Sequence, residues 1–242
     1  MVTKASKKPT SGHMSAPAKF VAGYRLLYGG LAVAAIAAQY MKSTGHAAFQ
    51  ASNFFSYFTI QSNILAIAVF FAGAGLILAR RQQPTWFAYV RGAIVVYMLT
   101  TALVYAVLLS HLTGQNDFSL GWADDIMHVI FPLIVAVDWL LVRPVHKITW
   151  RQSFYWLIFP LLWLAYTLER GHTTGWYPYP FLIPQHGYGV VALYCLVVAA
   201  VIVVLSLVVQ AIPAHAPITR NKAGKVTHVK KPRKATAAKH DR

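Results

Sequence analysis

A hydroxyl, an imidazole and two carboxylates stand out in a chain that is otherwise mostly hydrocarbon. Ser56, Thr59, Gln61, Ser62 and Asn63 crowd the run NFFSYFTIQSNIL, immediately before the apolar text that follows Leu65. At 3.6 residues per turn, positions 56, 59, 62 and 63 share one helix face, and Gln61 points elsewhere. A polar face of this kind turns into a bundle, because facing it to lipid is costly. In WADDIMHVIFPLIVAVDWLLV, His128 follows Asp124 by four residues and Asp125 by three. Either carboxylate is in helical register to accept a ring N–H and so choose the imidazole tautomer.

A hydroxyl nucleophile with a histidine oriented by a carboxylate is the equipment of acyl transfer. Thr59 would attack, His128 would act as base and then acid, and Asp124 or Asp125 would orient it. Ser56, Ser62 and Asn63 would hold the reacting carbonyl or a water. A helix N-terminus adds unpaired N–H groups and a positive dipole end, both suited to an oxyanion. Each residue also has a plainer reading. Threonine in a membrane helix commonly bonds its own i−4 carbonyl or joins two helices. Asp124 and Asp125 suit a helix N-terminus for electrostatic reasons alone.

The elements that must position these groups are membrane helices. The chain has 242 residues, is 57% hydrophobic with mean hydropathy +0.49, and is only 12% charged, about half the charge of a soluble domain. Six apolar segments are long enough to cross about 30 Å of hydrocarbon: 20–41, 55–79, 86–110, 123–142, 152–169 and 188–212. Arg25 within the first segment marks it as a true helix rather than a cleaved signal. Pro132 and Pro160 are expected to kink the fourth and fifth. Arg25, Arg91 and Asp138 lie near one end of their helices and are expected to pair, since buried charges want partners.

Of the 22 Lys and Arg, all but Lys42 and Arg170 fall at the termini, in the second and fourth connections, or at adjoining helix ends. By the positive-inside rule that face is cytoplasmic, with both termini on it. Thr59 and His128 would then lie at similar depth near the outer leaflet, about one turn inside the boundary. The fifth connection, RGHTTGWYPYPFLIPQHGYG, is aromatic and stiffened by Pro178, Pro180 and Pro184. Trp176, Tyr177 and Tyr179 suit the headgroup level, and the loop is expected to close the outer mouth with His172 or His186 nearby.

The expected class is therefore an all-α integral membrane protein of the cell membrane, a bundle of six transmembrane helices over residues 20–212. Basic, disordered ends flank it at 1–19 and 213–242. The net charge of +16 is concentrated in the tail after Pro213, which is expected to touch anionic lipid headgroups rather than nucleic acid. The single cysteine, Cys195, excludes an internal disulfide and any cysteine-built zinc or iron–sulfur site. Acyl transfer by a hydroxyl needs neither metal nor organic cofactor. The alternatives are a non-enzymatic lipid-binding or structural protein, and a transporter. Apolar inner halves such as ILAIAVFFAGAGLILA offer a transporter almost no polar path.

The motifs YFTIQSN, DIMHVIFPLIVAVDWL and WYPYPFLIP, in this order, resemble the actinobacterial six-helix Pr6Pr membrane proteins. Those are similar in turn to the androgen-induced family of animal membrane proteins, which hydrolyse fatty acid esters of hydroxy fatty acids. The resemblance covers roughly residues 20–212. It implies Thr59 of YFTI as the intramembrane nucleophile, His128 of MHVIFP as its partner, and a lipid ester as substrate. The SYFTIQSN run and the Asp124–Asp125 pair look like features of the bacterial branch.

Overall fold

The computed structural model describes residues 15–110, 120–144 and 146–213, and two residue pairs, 219–220 and 226–227, that meet as short antiparallel strands. The expectations for residues 1–14 and for the rest of the basic tail lie outside the described residues.

Every long element is an α-helix. In chain order these are α1 (Ala16–Thr44), α2 (Ala51–Ser56), α3 (Phe58–Leu78), α4 (Thr85–Val104), α5 (Gly121–Asp125), α6 (Phe131–Leu141), α7 (Trp150–Ser153), α8 (Ile158–Thr174) and α9 (Tyr188–Ala211). A π-helical turn, Tyr105–Leu109, extends α4; another, Ile126–Ile130, joins α5 to α6; a 3₁₀ turn, Phe154–Leu157, joins α7 to α8. Among the described residues four helices are long and apolar enough to cross a membrane: α1, α3, α4 with its extension to Leu109, and α9. Their outward surfaces are hydrocarbon, with Leu27, Leu78, Leu193 and Leu196 each at least half exposed. That inverts the usual arrangement of a soluble protein and marks a membrane protein.

The two remaining apolar segments, 123–142 and 152–169, are helical but interrupted, and proline is the physical reason. Pro132 has no N–H for the carbonyls of His128 and Met127, and the helix widens into its π turn just before it. Asn63 on α3 donates Nδ2 to the Met127 oxygen at 3.2 Å. Pro160 likewise leaves the Trp156 carbonyl without an i+4 donor, and the Tyr97 hydroxyl donates to it at 2.9 Å. Freed backbone in a low-dielectric bundle must be paired again, and side chains of neighbouring helices do it. α1 begins earlier than foreseen, at Ala16, and α8 runs on to Thr174.

α1 lies against α3 along a stripe of mostly small residues, Ala22, Gly29, Ala32 and Ala35, that lets the backbones approach. A methyl group on Gly29 would meet the Phe71 ring at 2.7 Å, so the approach depends on that glycine.

At one end of the bundle the expected ion pair is present, as a cluster. Asp138 on α6 accepts from Arg25 Nε at 2.7 Å and Nη2 at 3.0 Å, from Arg91 Nη2 at 2.6 Å, and from the Tyr24 hydroxyl. Arg91 also donates Nη1 to the Val142 carbonyl at 2.8 Å and lies over the Trp139 ring. All three charged residues are buried. One carboxylate thus ties α1, α4 and α6, and losing it would strand two guanidinium groups. Asp138→Asn should cost about 3–5 kcal/mol, the usual penalty for breaking a buried pair from one side. Thermal unfolding of the detergent-purified protein measures this; an unchanged midpoint would mean the cluster is not a structural clamp.

Candidate functional site

At the opposite end of these helices lies a cavity of about 550 Å³. Thr59, His128 and Asp124 all belong to its wall, with Tyr105, Tyr179 and Gln39. Ser56, Ser62 and Asn63 are not in that wall.

The local backbone explains the position of Thr59. The expected second span starts at residue 55, but Tyr57 is extended (φ −66°, ψ 132°) and splits α2 from α3. Phe58 is therefore the first helical residue and Thr59 the second, within the turn whose N–H groups have no intrahelical acceptor. The orphaned Ser56 carbonyl at the end of α2 accepts from Trp163 Nε1 at 2.9 Å. The Thr59 carbonyl accepts from Ser62 Oγ at 3.1 Å and from Asn63 Nδ2 at 2.8 Å. Ser62 Oγ also lies 3.0 Å from Thr101 Oγ1, and Ser56 Oγ donates back to Ser52 O at 2.6 Å while meeting the Tyr166 hydroxyl. The polar face of α3 thus turns into the bundle, where it locks the backbone of Thr59 and joins helices.

His128 sits on the π turn between α5 and α6, its ring stacked on Tyr105 at 4.2 Å and 16°. Tyr105 opens the other π turn, so two widened helical turns supply this pair. His128 Nδ1 lies 3.1 Å from the Asp124 carbonyl oxygen and 3.7 Å from its carboxylate. A carbonyl only accepts, so Nδ1 carries a proton, and in the neutral ring the lone pair is on Nε2. Of the two acids in register it is Asp124 that faces the ring; Asp125 is exposed.

The connection after α8 folds inward rather than lying flat at the surface. Gly175 (φ 72°) ends α8 in the left-handed conformation and Gly187 (φ 88°) precedes α9, so both turns favour residues without a Cβ. Between them Tyr179 is buried, stacked on Phe181 and set edge-on to Tyr57. Its hydroxyl lies 3.4 Å from both the Thr59 nitrogen and Thr59 Oγ1. Burial pushes the Tyr179 hydroxyl up to about 12, so it stays a neutral donor across the physiological range. Tyr179 is thus packed inside the protein rather than on its surface. Trp176 packs edge-on to Tyr57 and under the Arg170 guanidinium, which donates to Asn53 Oδ1 at 2.6 Å. His172 is exposed and outside the cavity wall; the side chain of His186 lies outside the described residues.

No protein-family model, curated protein or solved structure matches the chain. What the site can do therefore rests on its own chemistry. A buried hydroxyl in the first turn of α3, whose N–H groups have no intrahelical acceptor, shares a cavity with an imidazole. Among the described residues no hydrogen bond joins Thr59 to His128; the partner of the threonine hydroxyl is Tyr179. Sequence reasoning missed Tyr179 and Tyr105 as wall residues. The flanking Pro178 and Pro180 announce a stiff segment at Tyr179, and no comparable signal exists for Tyr105.

A methyl group on Gly171 would overlap the Tyr177 ring at 2.1 Å. Gly171→Ala should therefore loosen the 175–187 connection and raise its backbone hydrogen exchange, with the ion-pair end unaffected. Equal exchange in both proteins would show that this contact does not hold the connection down.

Proposed function

We propose that the protein is a multi-pass enzyme of the cell membrane that hydrolyses fatty acyl esters of lipids, with Thr59 as nucleophile and His128 as general base. Its six apolar segments all span, both termini are cytoplasmic, and the cavity faces the outer leaflet. The orientation rests on the basic residues, all but two of 22 on the terminal side. The observation that carries the chemistry is the shared wall: Thr59, His128 and Asp124 line one cavity. The resemblance of YFTI, MHVIFP and WYPYPFL to the Pr6Pr and androgen-induced proteins supports the same assignment.

In this reading Thr59 Oγ1 attacks the ester carbonyl while its proton passes to His128 Nε2. Negative charge on the tetrahedral oxygen is met by the first-turn N–H groups of α3 and by the Tyr179 hydroxyl, which gives up its contact with the Thr59 N–H as substrate enters. The Asp124 carboxylate, 3.7 Å from Nδ1, favours the imidazolium that forms. His128 returns the proton to the departing alkoxide as the C–O bond breaks. Water, deprotonated by the same nitrogen, then cleaves the acyl-threonine to a free fatty acid. The Thr59–Tyr179 contact must yield to a Thr59–His128 contact when substrate enters, and apo enzymes commonly show such looser geometry.

A second reading is favoured by one observation. Ser56, Ser62 and Asn63 each bond a backbone or side chain of the bundle, and Thr59 bonds Tyr179. A lipid-binding protein without catalysis satisfies its polar groups in the same way.

Release of fatty acid from a lipid ester by the purified protein separates the two. Thr59→Ala and His128→Ala should each lower the rate by about a thousandfold, and the double variant should be little worse than either, because the pair acts as a unit. Equal rates in all the folded proteins would leave only lipid binding.

A further inference from the structure

A second, apolar cavity of about 90 Å³ lies against the first and shares Thr59, Leu109 and Tyr179 with it. The rest of its wall comes mostly from α4, α8 and α9, including Leu161, Cys195, Val198 and Ala199, with Phe58 and Phe181 beside them, and holds no charged side chain. Its other two threonines are already engaged: Thr100 Oγ1 donates to the Val96 carbonyl at 2.8 Å, and Thr101 meets Ser62. Nothing there asks for a polar ligand.

Val104 and Val198 continue this cavity into a groove of about 430 Å³ between α4 and α9. Apart from Tyr194 the groove is lined by aliphatic side chains, with Leu103 and Val107 on one side and Leu193 and Val197 on the other. Its cause is local. The π turn Tyr105–Leu109 at this end of α4 has no buried side chain, and the facing part of α9 buries only Val191. The two helices therefore part where α4 widens. Through these shared wall residues the three spaces are neighbours in sequence: the groove, the narrow apolar chamber, and the cavity of His128, with Thr59 between the last two.

We propose that the groove and chamber bind one unbranched acyl chain, which enters sideways from the membrane between α4 and α9. The ester carbonyl comes to rest at Thr59 and the polar remainder of the lipid occupies the His128 cavity. The narrow chamber admits a single extended chain and excludes a fused-ring lipid. Small side chains on α9, Cys195 and Ala199, leave the lumen open. The statement about the ester rests on the hydrolase reading; the binding of the chain does not.

The experiment uses the full-length protein in lipid nanodiscs with palmitic acid carrying a mid-chain diazirine. After irradiation, cross-linked peptides are mapped for the wild type and for Ala199→Trp and Val198→Trp, and ester hydrolysis by the wild type is measured in parallel. Cross-links should concentrate on α4 and on the first half of α9. Filling the chamber should lower them about tenfold, comparable to losing about two buried methylene contacts. Either variant suffices if the other fails to fold. Cross-links spread evenly over the lipid-facing helices, or unchanged in a folded variant, would overturn the proposal. Concentrated cross-links in a protein without hydrolytic activity would reject the catalytic reading and uphold the chain site.

Discussion

A single carboxylate placed among hydrocarbon organises this bundle. Asp138 holds Arg25 of α1 and Arg91 of α4, so three helices are clamped at a common level. From that level helix geometry delivers the site. Counting about 1.5 Å per residue, Gln39 lies about 21 Å along α1 from Arg25, Tyr105 about 21 Å along α4 from Arg91, and His128 about 15 Å from Asp138. All three reach the wall of the same cavity. An ion pair of this kind contributes little net stability compared with an apolar replacement. What it does is make one register of three helices far better than any other, because every alternative leaves a charge unpaired in a low dielectric.

The second recurring device is the repair of helices that proline has opened. Pro132 and Pro160 each free a backbone carbonyl, and each time a side chain on another helix supplies the donor, Asn63 in one case and Tyr97 in the other. The repair at Pro132 has a consequence for chemistry. Asn63 donates to Thr59 O and Met127 O at once, so the hydroxyl-bearing turn of α3 and the histidine-bearing turn beside α6 are tied through one amide. Thr59 and His128 are thereby coupled through a residue outside the wall of the cavity they share.

Much of this was legible in the residues, and the rest was hidden for physical reasons. Hydrophobic length located the four long apolar helices, and pairing of Arg25, Arg91 and Asp138 followed from the cost of a lone buried charge. The four-residue spacing of Asp124 and His128 anticipated their contact. The break at Tyr57 was not visible, because no proline or glycine marks it and the aromatic run around it reads as continuous helix. Nor could the pattern show that Tyr179 turns inward. An aromatic residue in a connection reads the same whether it faces outward or packs inward, and packing against Tyr57 and Phe181 decides between the two. The roles of Ser62 and Asn63 were obscured because a polar helix face looks the same whether it lines a cavity or bonds its neighbours.

The central claim is that the Thr59 hydroxyl is an activated nucleophile in a cavity it shares with His128. Treating the purified protein with a fluorophosphonate and mapping the modified peptide tests this most directly. The account predicts one adduct, on Thr59, that disappears in His128→Ala although the protein remains folded. A folded wild-type protein that takes no label, or one labelled at another hydroxyl with Thr59 intact, would contradict it.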